Sequence, residues 1–118
     1  FSEIVEALLE KGIDVNQSYG NSLTALMWAA GYSNDTPAGE ALKTIDLLLD
    51  RDAKFDMKDN RGQTALMTAA QMNHPEVVKR LLNAGARADL RNKEGRTAVD
   101  LARAAGSPAA LRVLGEAK

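Results

Sequence analysis

Internal repetition constrains the fold of this chain more than any other feature. Three segments align with one another: LTALMWAA at 23–30, QTALMTAA at 63–70 and RTAVDLAR at 96–103. Each segment follows a polar turn sequence and precedes a second apolar stretch. Their threonines are Thr24, Thr64 and Thr97, and the first interval between them is longer than the second. A period of roughly 30 to 40 residues is typical of stacked repeat architectures, so we expect copies of one structural unit.

Capping residues indicate the structure of that unit. The predicted N-caps of the first helices are Thr24, Thr64 and Thr97, whose hydroxyls can accept a hydrogen bond from a free amide. His74-Pro75 and Ser107-Pro108 are predicted to cap and begin the second helices, because proline lacks the N–H that the first helical position leaves unused. The unit is therefore a helix, a tight turn, a second helix and a projecting hairpin-like connection.

These units resemble ankyrin repeats along essentially the whole chain. The matching positions are Asp59, Gly62, Thr64, Ala65, Leu66, Ala69, Ala70, Glu76, Val77, Val78, Leu81, Leu82, Gly85 and Ala86. The resemblance implies an all-α solenoid of stacked helix-turn-helix units. Alanine replaces the proline that usually follows the threonine, and Met27, Met67 and Asp100 replace the usual histidine. We therefore expect stability to depend more on methionine and alanine packing.

The repeat pattern divides the chain into one ankyrin domain over 1–118 with four parts. Residues 1–16 are predicted to be the second helix of a truncated repeat, 57–89 a regular repeat and 90–118 a C-terminal capping repeat. In the capping repeat, Ala110 and Gly115 replace the bulkier residues at the equivalent positions of the preceding repeat, which predicts a less apolar outer face. Residues 17–56 are predicted to be a repeat with a seven-residue helix extension.

That extension explains the stretch YSNDTPAGEALK at 32–43. Alignment of Leu48-Leu49 with Leu81-Leu82 places the extra residues between the two helices of the unit. Seven residues are about two helical turns, so the apolar face stays in register. We predict that the second helix begins near Pro37 and is about two turns longer than its neighbours, with a weakened first turn at Gly39.

The composition argues against catalysis and cofactors. The chain has no cysteine, and His74 is its only histidine, so a metal site or a catalytic arrangement lacks partners. Calcium-loop and phosphate-loop spacings are absent. We expect no enzymatic activity, no cofactor and no metal. Trp28 has two interpretations, a core residue between helices or a partly exposed binding anchor.

Charge is distributed unevenly although the net charge is only −1. Residues 1–59 contain five Lys/Arg and eleven Asp/Glu, whereas residues 60–118 contain ten and five. The two interpretations are an ordinary solvated surface and a dipolar surface that orients a charged partner. No aromatic residues are interleaved with the basic ones to stack bases, so we expect no nucleic-acid partner. No apolar run of membrane-spanning length is present, so we expect no membrane association.

The resemblance implies a non-enzymatic module that binds another protein through a concave face of hairpin tips and first helices. The repeat pattern leaves certain positions of that face free. These are Asn21, Leu23, Tyr32, Lys58, Asn60, Arg61, Gln63, Gln71, Met72, Lys93, Glu94, Arg96 and Ala104. Leu23, Tyr32 and Met72 are predicted to form a small apolar contact patch. The alternative is an ankyrin fragment of a larger enzyme or effector whose catalytic part lies outside this chain.

The first residues suggest a further contact. Ile4, Val5, Leu8 and Leu9 form an apolar helix face with no first helix of their own, which predicts association with an upstream repeat or a partner chain. The absence of cysteine suits a cytoplasmic location. A periplasmic or secreted location stays open, because the chain begins at Phe1 and an upstream signal would be missing.

Overall fold

The helices occur in pairs, as the repeat pattern predicts. In a computed structural model, residues 25–30, 38–51 and 53–116 are described, together with Ala7 and Glu10. The helices of these ranges are α1 (Ala25–Ala30), α2 (Ala38–Asp50), α3 (Ala65–Gln71), α4 (Pro75–Ala84), α5 (Ala98–Ala105) and α6 (Pro108–Glu116). Helices α1, α3 and α5 are the first helices of successive units, and α2, α4 and α6 are the second helices. The fold is an all-α solenoid.

Side-chain caps begin the first helices in the described part of the chain. The Thr64 hydroxyl accepts from the Met67 amide at 3.3 Å, and the Thr97 hydroxyl accepts from the Asp100 amide at 3.3 Å. Asp100 completes a capping box, because its carboxylate accepts from the Thr97 amide at 3.1 Å. The capping predictions at Thr64 and Thr97 are therefore confirmed, whereas Thr24 lies outside the described residues.

The helices form two layers. First helix packs on first helix, through α1–α3 and α3–α5, and second helix packs on second helix, through α2–α4 and α4–α6. The two helices of each unit also pack against each other. The core between the layers contains Leu26, Met27, Ile45, Leu48, Leu66, Met67, Ala69, Ala70, Val77, Val78 and Leu81, all buried. Its alanines allow the close helix approach that the repeat requires, and Met27 and Met67 fill the space between them.

Helix α2 is extended at its N-terminal end. It begins at Ala38, next to the predicted start at Pro37, and has 13 residues, compared with 10 in α4. No irregular loop reaches Leu42, so the extended-helix interpretation holds for the described residues. Over the described residues, the gain in length accounts for about one of the two predicted turns. Residues 31–37 lie outside the described part, so the remainder of the seven-residue excess stays a prediction.

The predicted loss of apolar bulk at the outer face of the last repeat is only partly correct. Gly115 is exposed, as expected, but Ala110 is fully buried. Ala110 lies against the preceding repeat, since its amide donates to the Asn73 side chain at 3.2 Å. Arg103 does change character, because it is exposed although Ala70, its counterpart in the preceding repeat, is buried. A charged side chain therefore stands where the preceding repeat has a packed alanine.

Candidate protein-interaction surface

The hairpin tip of residues 58–63 is organised by Asp59. Its carboxylate accepts from the backbone amides of Arg61, at 2.8 Å, and Gln63, at 3.0 Å. The backbone of Asp59 and Gln63 is also paired, at 3.0 Å from amide to carbonyl. Asp59 is 6% exposed, so these hydrogen bonds provide the partners that a buried carboxylate requires. The tip is a fixed turn rather than a free loop.

The next tip repeats this arrangement with an amide in place of the carboxylate. The Asn92 side-chain oxygen accepts from the amides of Glu94, at 2.9 Å, and Arg96, at 3.0 Å. The Asn92 amide donates to the Arg96 carbonyl at 2.9 Å. Asp59 and Asn92 hold equivalent positions in successive units, so the repetition extends to the residue that shapes each tip. Asp and Asn are suited to this role because their short side chains reach the backbone two residues further on.

The two tips are joined to each other through the backbone. The Lys93 amide donates to the Arg61 carbonyl at 3.0 Å. Gly62 makes this approach possible: a Cβ atom there would lie 2.8 Å from the Lys93 nitrogen. Gly62 also has φ +78°, a left-handed conformation that glycine adopts readily. Contact between adjacent tips therefore depends on a residue with no side chain.

Five basic side chains lie on these joined tips. We call them the basic tip cluster: Lys58, Arg61, Arg91, Lys93 and Arg96, all exposed. Residues 58–61 and 91–96 contain only two acidic residues, Asp59 and Glu94. The side chain of Asp59 is 2% exposed, whereas that of Arg61, its ion-pair partner at 3.2 Å, is 65% exposed. The surface of the two tips is therefore positively charged.

Three of the five cations are held in place by contacts within the tips. The Lys58 ammonium donates to the Arg91 carbonyl at 3.0 Å, and a guanidinium nitrogen of Arg91 donates to the Gly95 carbonyl at 2.8 Å. Arg61 is held by the Asp59 carboxylate. Within the described part of the chain, Lys93 and Arg96 make no side-chain hydrogen bond or ion pair. The contacts with carbonyl groups position Lys58 and Arg91 without neutralising their charges.

Two other arginines, Arg87 and Arg80, form ion pairs outside the basic tip cluster. Arg87 donates to Asp89 through two nitrogens, at 3.1 and 2.9 Å. These hydrogen bonds and the charge of Arg87 lower the pKa of Asp89, and the same hydrogen bonds and the charge of Asp89 raise the pKa of Arg87. The Arg87 amide also donates to Asp56 at 3.1 Å. Arg80 of α4 pairs with Asp46 of α2 between the second helices, and the hydrogen bond and charge of Asp46 raise the Arg80 pKa.

Most of the predicted surface residues that the structure describes are exposed. These are Lys58, Asn60, Arg61, Gln71, Met72, Lys93, Glu94, Arg96 and Ala104. The tips bring Lys58, Asn60, Arg61, Lys93, Glu94 and Arg96 together, whereas Gln71, Met72 and Ala104 lie at the opposite ends of α3 and α5. Met72 is 43% exposed. Asn21, Leu23 and Tyr32 lie outside the described residues, as do Ile4, Val5, Leu8 and Leu9, so the apolar patch and the N-terminal contact stay predictions. Trp28 lies in α1, and its side chain is outside the described part.

The prediction that Gln63 belongs to the exposed interaction surface is wrong. It is only 5% exposed, although Arg96, at the same repeat position, is exposed. Gln63 directly precedes α3, and the following tip packs against its neighbour Gly62. The repeat pattern predicts which positions are variable, but burial at each position also depends on the adjacent repeat. Gln63 therefore offers little surface to a partner.

Sequence reasoning also missed contacts that join repeats at the opposite ends of the first helices. His74 occupies the N-cap position of α4 but makes no side-chain hydrogen bond to that helix. Its Nδ1 instead lies 3.0 Å from the Ala30 carbonyl, at the end of α1, in the geometry of an N–H donor. Ser107, its counterpart, donates to the Gln71 carbonyl at 3.1 Å. The equivalent positions of His74 and Ser107 in successive repeats were the available signal.

Two further features, metal sites and membrane-spanning helices, can be examined in the described residues. Within them, no group of three or more His, Cys, Asp or Glu side chains is arranged to hold a metal ion. None of the described helices is long and apolar enough to cross a membrane.

Comparison of the sequence with known protein families identifies the class of protein to which this chain belongs. Residues 36–118, more than half of the chain, match a family model described as ankyrin repeats in three copies. The chain therefore belongs to the ankyrin repeat family. Ankyrin repeats are generally non-catalytic modules for protein interaction.

Particular relatives share part of this chain. It is similar to "Ankyrin repeat, SAM and basic leucine zipper domain-containing protein 1" of Atelerix albiventris, with 36% identity over 64% of this chain and 15% of that protein. The proteins of the same name from Ovis aries and Bos taurus are each 32% identical, over 64% of this chain and 22% of the relative. The chain therefore spans less than a quarter of the length of these relatives.

Proposed function

We propose that this chain is a non-enzymatic module that binds a partner protein through the face formed by its hairpin tips and first helices. The observation that carries the proposal is the joining of adjacent tips, in which the Lys93 amide donates to the Arg61 carbonyl at 3.0 Å. This hydrogen bond holds exposed side chains, which differ between the two repeats, in a fixed relation to each other. A rigid surface loses little conformational entropy when a partner binds, which favours affinity.

The other end of the proposed face supplies a different chemistry. Gln71 and Met72 at the end of α3 and Ala104 in α5 are exposed and uncharged. A partner that lies along the first helices would therefore meet charged tips at one end and a small, partly apolar area at the other. Met72 suits such a contact because its unbranched side chain adapts to the shape of its partner.

Affinity capture with the 118-residue chain, followed by mass spectrometry, tests this proposal. A face variant carries Arg61→Ala, Met72→Ala and Arg96→Ala. A matched control carries Glu76→Ala, Lys79→Ala and Arg112→Ala, which are exposed residues of the second helices. Circular dichroism first establishes that both variants are folded. Partners captured by the wild type and the control but lost by the face variant would support the proposal, and equal capture by all three would contradict it.

An alternative proposal concerns the longer protein to which such a module can belong. The names of the relatives combine ankyrin repeats with a SAM domain and a basic leucine zipper, and this chain matches only 15–22% of their length. In this alternative the chain recognises a partner for an activity located in another domain. Sequencing the complete reading frame distinguishes the two, because a catalytic domain in the same frame would favour the alternative.

A further inference from the structure

We infer that the basic tip cluster recognises a carboxylate-rich segment of the partner protein. This inference rests on the proposed function and adds the chemistry of the partner. Its basis is the concentration of five exposed cations on two joined tips, in a chain whose net charge is −1. A slightly acidic chain has no general attraction for polyanions, so binding of an acidic ligand requires a local concentration of cations such as this cluster.

The cluster is arranged in advance for binding. Lys58 and Arg91 are held by carbonyl groups, and Arg61 is held by a carboxylate that is itself buried. Side chains that are already ordered lose less entropy when they form a new ion pair. Arg61 and Arg91 each keep further N–H groups, since a guanidinium has five donors and can engage a carboxylate with two of them.

Lys93 and Arg96 supply the cations that a partner can neutralise. Both side chains are exposed, and among the described residues neither makes a hydrogen bond or an ion pair. The nearest exposed acidic residue in the sequence is Glu94, which lies between them. A ligand with spaced carboxylates, such as a segment rich in Asp or Glu, can contact the two cations on either side of Glu94.

The same surface is less suited to nucleic acid. Within residues 53–116 the only Phe, Tyr or Trp is Phe55, which is half-buried and has ring atoms near Gly85. Binding of single strands normally uses exposed aromatic rings on which bases stack. The Glu94 carboxylate, which lies between Lys93 and Arg96, would also repel the phosphates of a nucleic-acid backbone bound along the tips. The described tips therefore favour an acidic protein segment over RNA or DNA.

Fluorescence anisotropy with defined probes tests the inference. The probe is a labelled peptide of alternating Glu and Gly, and the comparison ligands are a Gln–Gly peptide and a labelled single-stranded oligodeoxynucleotide. The variant K93E/R96E reverses two charges of the cluster. The control K79E/R112E makes the same change in net charge at two exposed positions of α4 and α6, which are equivalent positions of successive repeats.

We expect the Glu–Gly peptide to bind the wild type and the control alike, and K93E/R96E to bind at least about tenfold more weakly. Wild-type affinity should fall as salt rises, because the cluster is exposed to solvent. Failure of the wild type to bind the acidic peptide, equal weakening by the control, or tighter binding of the oligonucleotide would overturn the inference.

The two proposals can fail separately. A captured protein partner that is lost with M72A and retained with K93E/R96E would overturn the acidic-segment inference while supporting the interaction face. A captured partner that is retained by the three-residue face variant would contradict the face itself. Loss of the partner with K93E/R96E, but not with K79E/R112E, would support both.

Discussion

Gly62 and Gly95 provide a direct test of how the tips are joined. Both residues have left-handed backbone conformations, with φ +78° and +77°, and they hold the same position in successive tips. They differ in their surroundings. A Cβ atom at Gly62 would lie 2.8 Å from the Lys93 nitrogen and 3.2 Å from two backbone atoms of Asn92, whereas a Cβ atom at Gly95 would meet nothing within 4 Å.

The expected magnitudes follow from this difference. Alanine in a left-handed conformation costs about 1–2 kcal/mol, and this cost applies to both Gly62→Ala and Gly95→Ala. Gly62→Ala must also push the neighbouring tip away and lengthen the hydrogen bond from Lys93 to Arg61, at a further cost of about 1–2 kcal/mol. Gly62→Ala should therefore be the more destabilising by about 1–2 kcal/mol, or roughly 4–8 °C in melting temperature for a chain of this size.

Urea unfolding followed by far-ultraviolet circular dichroism measures the two variants side by side. Hydrogen exchange of the Lys93 amide adds a local measurement: protection should fall in Gly62→Ala and persist in Gly95→Ala. Equal loss of stability in the two variants, with Lys93 protection unchanged, would refute the conclusion that close contact between the tips requires Gly62. The pair isolates this contact because the backbone conformation of the two glycines is the same.

Further predictions concern the tip, a helix cap and the core. Asp59→Ala should cost about 2 kcal/mol by removing an acceptor of two amides, whereas Asp59→Asn should cost less than about 1 kcal/mol; equal losses in urea unfolding would contradict this. The hydrogen bond from the Thr97 amide lowers the Asp100 pKa below its usual 3.8, so its ionised carboxylate stabilises the fold above that pH and loses this effect as the pH falls through the lowered value. The stability difference between wild type and Asp100→Asn should therefore shrink on acidification, and a pH-independent difference in thermal melts would argue against it. Met67→Ala should cost about 2–5 kcal/mol because Met67 is buried, whereas Met72→Ala at an exposed position should cost less than about 0.5 kcal/mol; similar losses in urea unfolding would contradict the burial argument.

Sequence reasoning predicted the helices well because their signals are local. A few neighbouring residues determine the Thr64 and Thr97 caps and the proline starts of α4 and α6. The early start of α2 was also predictable from the position of the excess relative to the repeat. The described helix is about one turn longer than α4, and the rest of the predicted extension falls on residues outside the described part.

Contacts between repeats were harder to predict because they depend on residues far apart in the chain. His74 was interpreted as a cap of its own helix, yet its side chain forms a hydrogen bond with the carbonyl of Ala30, 44 residues earlier. Ala110 was interpreted as part of an outer face, yet it packs against the preceding repeat and is bonded to Asn73. A single repeat unit contains the information for its own helices, but the burial of a side chain depends on the unit that stacks beside it.

Comparison of equivalent positions separates the residues that build the tips from those that can determine the partner. Asp59 and Asn92 differ in charge but accept the same two backbone hydrogen bonds, so this position maintains the turn. Arg61 and Glu94 occupy one position with opposite charges, and both are exposed, so the turn places no requirement on that side chain. A position that is free to change sign without affecting the turn can be adapted to a ligand. The cations at such exposed positions, rather than the repeated residues beneath them, therefore give the tips their charge and the preference for a carboxylate-rich segment that we infer.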